Sequence, residues 1–231
     1  MAILAIDTSM AACSVALLKA GQGTPIQNFE PMARGHAEDV FPMIEAVMVE
    51  ADCDFNELSK IAVTLGPGSF TGVRAGIAAA RGLALATHVP LAGISSLAVM
   101  ARGCVRWLAA RQGEGAFAIA HDARRDEIYV QAFGADGESL SEAQLLPSAN
   151  ALETLPTGIT LIAGSGAAAL ISEGAKQDRR LEAVLPNLLP EAADLALIAV
   201  TMEPQDRPPA PIYLRPPDAK PQTGKILARA R

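Results

Sequence analysis

Aromatic side chains are scarce in this 231-residue chain: they make up 4% of it, so a core must be built from aliphatic and small residues. Cysteine is sparse as well. Cys13, Cys53 and Cys104 stand far apart, with no C-x-x-C pair, which excludes a disulfide framework and a zinc knuckle and fits a reduced, cytoplasmic setting. The three histidines, His36, His88 and His121, fall at no metal-ligand spacing. No apolar run reaches the roughly 18 residues of a membrane span, and Asp7 arrives before the apolar core of a leader could form. Neither secretion nor membrane attachment is therefore expected. Positive charge is also short. With 19 Lys and Arg against 25 Asp and Glu, the net charge of −6 excludes nucleic-acid binding by overall field, and RNA contact would need a local patch or a partner. What is left, half hydrophobic and 19% charged, is the composition of a packed α/β protein of one large or two small domains.

A plan repeats along the chain. Residues 3–18 read as an apolar strand, a polar turn opening at Asp7 and a second apolar strand, which predicts a β-hairpin with a carboxylate at its tip. The outline recurs in the apolar run 116–121, the charged turn 122–126 that begins with Asp122, and the β-rich return 127–133. A short strand follows each hairpin and runs into a glycine-rich turn and a helix. The first set is 60–65, Gly66-Pro67-Gly68-Ser69-Phe70-Thr71-Gly72 and the residues beyond; the second is 159–163, Gly164-Ser165-Gly166 and 167–174. Hairpin, strand, turn and helix in the same order twice predict an internal duplication.

Residues 37–51 place Val40, Phe41, Met43, Ile44, Val47, Met48 and Ala51 on one helical arc, with Pro42 predicting a kink or a late start. Ser95 or Ser96 can cap a helix to about Arg111, and the lobe boundary is expected along it. Pro190 can open a last helix through Met202, after which the prolines from Pro204 to Pro221 favour extended chain. The expected units are a first lobe over 1–103, a second over 104–215 and a basic extended tail over 216–231. That tail reads either as a frayed end or as an RNA-contacting arm.

A strand feeding a glycine-rich turn that opens a helix can present backbone N–H groups to an anion, and Ser69 and Thr71 add hydroxyls. The spacing of Gly66, Gly68 and Gly72 is one residue longer than the dinucleotide fingerprint, and no Lys-Ser/Thr pair follows. The same glycines could equally serve a sharp turn. Asp7 and Asp122 could hold Mg²⁺ or orient water, or be ordinary turn residues. In the helix that follows, Gly72, Ala75, Gly76, Ala79, Gly82 and Ala86 share one face of small side chains, suited either to a partner or to close packing within the chain. His36 has Val40 where a helical metal pair needs a second ligand, and no nucleophile, base and orienter stand at a known spacing. On residues alone, catalysis is not supported.

The segments I-L-A-I-D-T-S, C-S-V-A-L-L, H-A-E-D-V-F-P-M-I, L-G-P-G-S-F-T-G-V-R-A-G, D-A-R-R-D-E-I-Y and P-I-Y-L-R resemble the bacterial TsaB (YeaZ) family over residues 3–215. The resemblance implies an α/β fold of two RNase H-like lobes of the actin/Hsp70/sugar-kinase (ASKHA) type, with mixed sheets flanked by helices. It implies a non-catalytic role in forming N6-threonylcarbamoyladenosine in tRNAs that read codons beginning with A. The transfer itself would fall to a paralogue, TsaD, with the ATPase TsaE joining the pair and tRNA met only through the complex. No cofactor of its own is implied, and ATP or ADP would lodge at the shared interface. The partner interface would be Val40, Phe41, Ile44, Met48, Gly72, Ala75, Gly76, Ala79 and Gly82, serving a homodimer when the chain is alone. Asp7, Thr8, Ser9, Gly66, Gly68, Ser69 and Thr71 would form a degenerate nucleotide-type loop, with no metal. The alternatives are an autonomous ATP-binding kinase or ATPase, motivated by Asp7 and the glycine loop, and a metallopeptidase, against which the lone His36 argues.

Overall fold

The computed structural model describes residues 2–203 and 208–215; the expected basic tail 216–231 lies outside the described residues. Strands β1 (Ala2–Met10) and β2 (Ala12–Lys19) pair antiparallel, and β3 (Ile26–Pro31) joins β2 in the same sense. Both faces of β1 and β2 are covered, which is why they read as nearly unbroken apolar runs. Helix α1 (His36–Glu50) then leads to β4 (Leu58–Thr64), parallel to β1, and helix α2 (Phe70–Thr87) leads to β5 (Leu91–Ile94), parallel to β4. The strand order is β3-β2-β1-β4-β5.

The second half repeats this. Strands β6 (Phe117–Asp122), β7 (Glu127–Phe133) and β8 (Gln144–Pro147) form the antiparallel part. Helices α4 (Ser148–Thr154) and α5 (Ala167–Lys176) connect to the parallel strands β9 (Leu161–Ala163) and β10 (Glu182–Val184). The order β10-β9-β6-β7-β8 is the first sheet's order with each strand replaced by its counterpart. Two RNase H-like lobes with mixed sheets flanked by helices are the fold.

The third helix of each half packs on the sheet of the other half. Helix α3 (Ser96–Ala109) sends Leu97, Met100, Cys104 and Leu108 against Phe117, Ile119 and Phe133 of the second sheet. Helix α6 (Ala192–Ala199) sends Ala192, Leu195, Ala196 and Ala199 against Ala5, Ala16 and Ala62 of the first. The layers therefore run α1 and α2, first sheet, α3 and α6, second sheet, α4 and α5. A boundary at 103/104 cuts through α3, and α6, placed in the second lobe by position along the chain, covers the first sheet. Chain order alone does not reveal this exchange, because Ala-rich helices fit either sheet.

Other expectations shift by small amounts. Helix α1 starts at His36, ahead of Pro42, so no late start occurs. The last helix is shorter than 190–202. Ser95 caps α3, its side chain accepting from the N–H of Leu97.

Two contacts fix how the helices lie on and between the sheets. Across the α3–α6 contact, buried Asp194 pairs with Arg106 at 3.3 Å, and Glu191 meets the same guanidinium at 3.2 Å. Burial pushes the Asp194 carboxyl up to about 6, only partly opposed by Arg106. On the other side of the first sheet, α2 lies hard against the end of β1. A methyl group on Gly72 would stand 2.1 Å from the carbonyl oxygen of Thr8, whereas one on Gly82 would meet nothing within 4 Å.

Two outcomes follow from these contacts. Gly72→Ala should destabilise the chain by about 1–3 kcal/mol, the usual cost of overpacking, while Gly82→Ala should add about 0.5–1 kcal/mol, since alanine is the better helix former. Thermal melts of the two variants check the opposite signs. Because the folded-state pKa of Asp194 lies above its ordinary 3.8, the folded chain binds the extra proton between those values. Asp194 should thus contribute about 1 kcal/mol of added stability as pH falls from about 7.5 to about 5, the buried Asp7 carboxyl, also pushed up to about 6, adding in the same direction, and Asp194→Asn should reduce the total rise in the same melts.

Candidate functional site

The glycine loop is closed by the chain itself. The N–H of Ser69 donates to the carbonyl of Ser9 at 2.7 Å, and the Thr8 hydroxyl donates to the carbonyl of Gly72 at 2.7 Å. A methyl group on Gly68 would stand 2.1 Å from the Ser9 carbonyl oxygen, so the glycine is required by backbone approaching backbone. Gly66, at φ +90°, makes the turn out of β4, and its carbonyl accepts from the N–H of Ser96. Asp7, Thr8, Ser9, Gly66 and Gly68 do come together as expected, but they hold one another. Ser69 and Thr71 stay exposed at the start of α2.

Asp7 is not at a hairpin tip. It sits inside β1 opposite Ser14, fully buried, while the turn falls at Ala11. The apolar run around it gave no sign of where the strand would end. Its Oδ1 accepts from the Ser9 hydroxyl at 2.6 Å, the Thr64 hydroxyl at 2.5 Å and the Ser9 N–H at 3.2 Å. Its Oδ2 has no partner among the described residues. Burial pushes this carboxyl up to about 6, against the lowering effect of those bonds. A group so enclosed reaches neither substrate nor solvent. His36 is buried with its Nε2 2.9 Å from the carbonyl of Met10. Among the described residues no three His, Cys, Asp or Glu gather as a metal would need.

The nine residues expected to form a partner interface divide. Val40, Ile44 and Met48 lie inside the first lobe's core, and Gly72, Gly76 and Ala79 are buried too, the two glycines turned onto Thr8. These six are corrected from interface to interior. Phe41 and Gly82 are exposed, and Ala75 is half-buried. Periodicity found both faces of α2 but could not say which one meets the sheet, since both are small and apolar. The open surface consists instead of Phe41, Pro42, Ala46 and Val49 on α1 with Ala78, Gly82, Leu85 and Ala86 on α2. Val49 is 80% and Leu85 77% exposed, far from the usual state of such side chains. Glu38, Asp39, Glu45 and Glu50 are the exposed acids of α1, and Arg74 and Arg81 the exposed bases of α2.

A second site was only half marked by the sequence. At the β6–β7 turn, Asp122, Arg124 and Glu127 join Ser148, Ser165 and Gly166 around a cavity of about 420 Å³. The Asp122 carboxylate accepts from the N–H of Arg124, and the Ser165 hydroxyl accepts from the N–H of Asp122. Asp122 and the Gly-Ser-Gly turn were visible as motifs, but their meeting with Ser148 required the fold.

A family model described as TsaD, tRNA N6-adenosine threonylcarbamoyltransferase, matches residues 30–166. The chain is 38% identical over 152 residues to the tRNA threonylcarbamoyladenosine biosynthesis protein TsaB of Escherichia coli, covering 64% of this chain and 63% of that protein, just under two thirds of its length. Two Pseudomonas aeruginosa structures are each 33% identical to it. One, an uncharacterized protein with similarity to peptidase YeaZ, has a TM-score of 0.78 with 93% of this chain and 99% of that chain covered. The other, YeaZ, has a TM-score of 0.72 with 87% and 92% covered. Sequence match, duplicated lobes and glycine loop agree: the chain belongs to the TsaB (YeaZ) family, within the wider group that the threonylcarbamoyltransferase model describes.

Proposed function

We propose that this chain is a non-catalytic subunit of the machinery that forms N6-threonylcarbamoyladenosine in tRNA, and that it docks on and activates a TsaD-type partner. The observation that carries this reading is the exposed face of α1 and α2, apolar along its middle and bearing acids on one helix and arginines on the other. Monomeric proteins seldom leave large aliphatic side chains as clear of the surface as Val49 and Leu85, one on each of two adjacent helices. The match to TsaB proteins supplies the pathway. In this reading the partner performs the transfer, a TsaE-type ATPase joins the pair, and tRNA is met through the assembly in the cytoplasm. The free chain pairs with a second copy through the same face, and ATP or ADP lodges where the subunits meet.

The buried Asp7 and the self-filled glycine loop speak against an autonomous kinase or ATPase, because a phosphate would have to displace Thr8 and Ser9 from contacts of about 2.7 Å. Asp7→Asn should leave partner-dependent tRNA modification within about twofold of the unaltered chain. A loss of a hundredfold or more, the scale of a missing general acid or base, would restore the enzyme reading.

Leu85→Glu places a charge on the face, at the most exposed large apolar side chain of α2, without touching the core. Light scattering coupled to size exclusion should show the complex with a TsaD-type protein weakened at least about thirtyfold, as at an interface hot spot, with the melting temperature unchanged. Undiminished association would refute docking on this face.

A further inference from the structure

After α6 the chain returns across the molecule, and residues 208–215 touch both lobes. Pro208, Pro209 and Pro211 keep this strap extended and short of backbone donors, so few conformations are lost when it is laid down. On the first lobe, Arg81 donates to the carbonyl of Pro209 at 2.7 Å, and the N–H of Ile212 donates to the carbonyl of Leu65 at 2.7 Å. The Ile212 side chain packs on the core beneath α2, and that of Leu214, two residues on, packs on the core between α3 and the second sheet. Arg215 then donates to the carbonyl of Ala123 at 3.0 Å and pairs with Glu127 at 2.5 Å.

Ala123 and Glu127 frame the β6–β7 turn, and the three residues between them are all left-handed: Arg124 at φ +62°, Arg125 at +58° and Asp126 at +60°. Such conformations cost of order 1 kcal/mol or more each in non-glycine residues and persist only where neighbours enforce them. Arg215 is one such neighbour, bound to both ends of the turn. Glu127 also lines the cavity there. The ion pair is about two thirds shielded from water, so it is stronger than a surface pair and is still weakened by salt.

Between these anchors the strap lies beside the first turns of α2. Tyr213, 51% exposed, accepts from Arg74 Nε at 2.7 Å, and the Arg74 guanidinium lies 3.5 Å from the centre of the Phe70 ring. Phe70 is itself 57% exposed, with its ring 5.9 Å from that of Tyr213. Among the described residues Arg74 has no carboxylate partner. The two exposed rings and the guanidinium they hold form one cluster, on the flank of the helix that the docking reading assigns to a partner.

We propose that residues 208–215 form a latch between the lobes, with the Arg215–Glu127 pair as its release point and the Tyr213–Arg74–Phe70 cluster as the place where a docked protein bears on it. The lobes are joined at their middle by α3 and α6, and the latch adds a crossing at the mouth of the glycine loop. Releasing Arg215 frees the β6–β7 turn to relax and the lobes to part about the helical layer. The release point is built from contacts within this chain alone; the docking contact rests on the partner reading above. A protein that contacts Phe70 and Tyr213 differently in the latched and released states shifts the balance between them.

The test uses spin labels on Asn56→Cys in the first lobe and Glu153→Cys in the second, both exposed, while the three native cysteines are buried. In the isolated chain, Arg215→Gln should move the interlobe distance distribution to longer values and speed amide exchange at 123–128 about tenfold. The reversed pair, Arg215→Glu with Glu127→Arg, should bring both back towards the original. An unchanged distribution in Arg215→Gln, or no recovery in the reversed pair, would overturn the latch. Adding a TsaD-type protein should shift the labels in the unaltered chain and not in Tyr213→Ala; binding that leaves them in place would overturn the docking contact. Since Leu85→Glu reads docking by itself, failure of the latch and failure of the partner reading are separable.

Discussion

Everything about this surface depends on the contact between the end of β1 and the start of α2. Two carbonyls, those of Thr8 and Ser9, press against the positions where Gly72 and Gly68 lack a side chain. That approach consumes the loop that would otherwise cradle a phosphate. It also fixes the height and roll of α2 on the sheet, and thereby decides that Thr71, Ala78, Gly82 and Leu85 look outward. The closing of the loop and the outward turn of these residues are thus one steric event. Beside this contact, one oxygen of the buried Asp7 carboxyl is satisfied by Ser9 and Thr64, while burial pushes the group up to about 6.

The duplicated halves were legible in the sequence because hairpin, strand, glycine turn and helix leave a period-two pattern followed by a period of three to four. Strands β4 and β7 and helices α1, α2 and α3 appear within a few residues of where the pattern placed them. The position of Asp7 was not legible. A carboxylate in an apolar run looks like a turn, and only the hydroxyls of Ser9 and Thr64, one of them 57 residues away, make it tolerable within a strand. The role of the small residues was ambiguous for a related reason. Small side chains permit close approach from any direction, and nothing in their spacing says whether the visitor is the same chain or another. The tertiary contact at Thr8 answers this for Gly72 and Gly76, and open space answers it for Gly82.

The strap and the cavity at the β6–β7 turn belong to the part no local pattern could reveal. The P-I-Y-L-R segment stood out only as a likeness to relatives. Its work is done by distant pairings, among them Arg215 to Glu127, 88 positions away, and Tyr213 to Arg74, 139 positions away. Prolines explain why the segment is extended but not where it lies.

The exchange of third helices has a consequence for how this chain is made. The first sheet is complete once Ile94 has been added, yet its inner face waits for Ala192–Ala199, about a hundred codons later. At ordinary translation speeds that delay is on the order of ten seconds, during which Ala5, Ala16 and Ala62 lack the cover that Leu195 and Ala196 later give them. A nascent chain stalled before α6 should therefore be a client for trigger-type chaperones, and severed halves should not become soluble on their own.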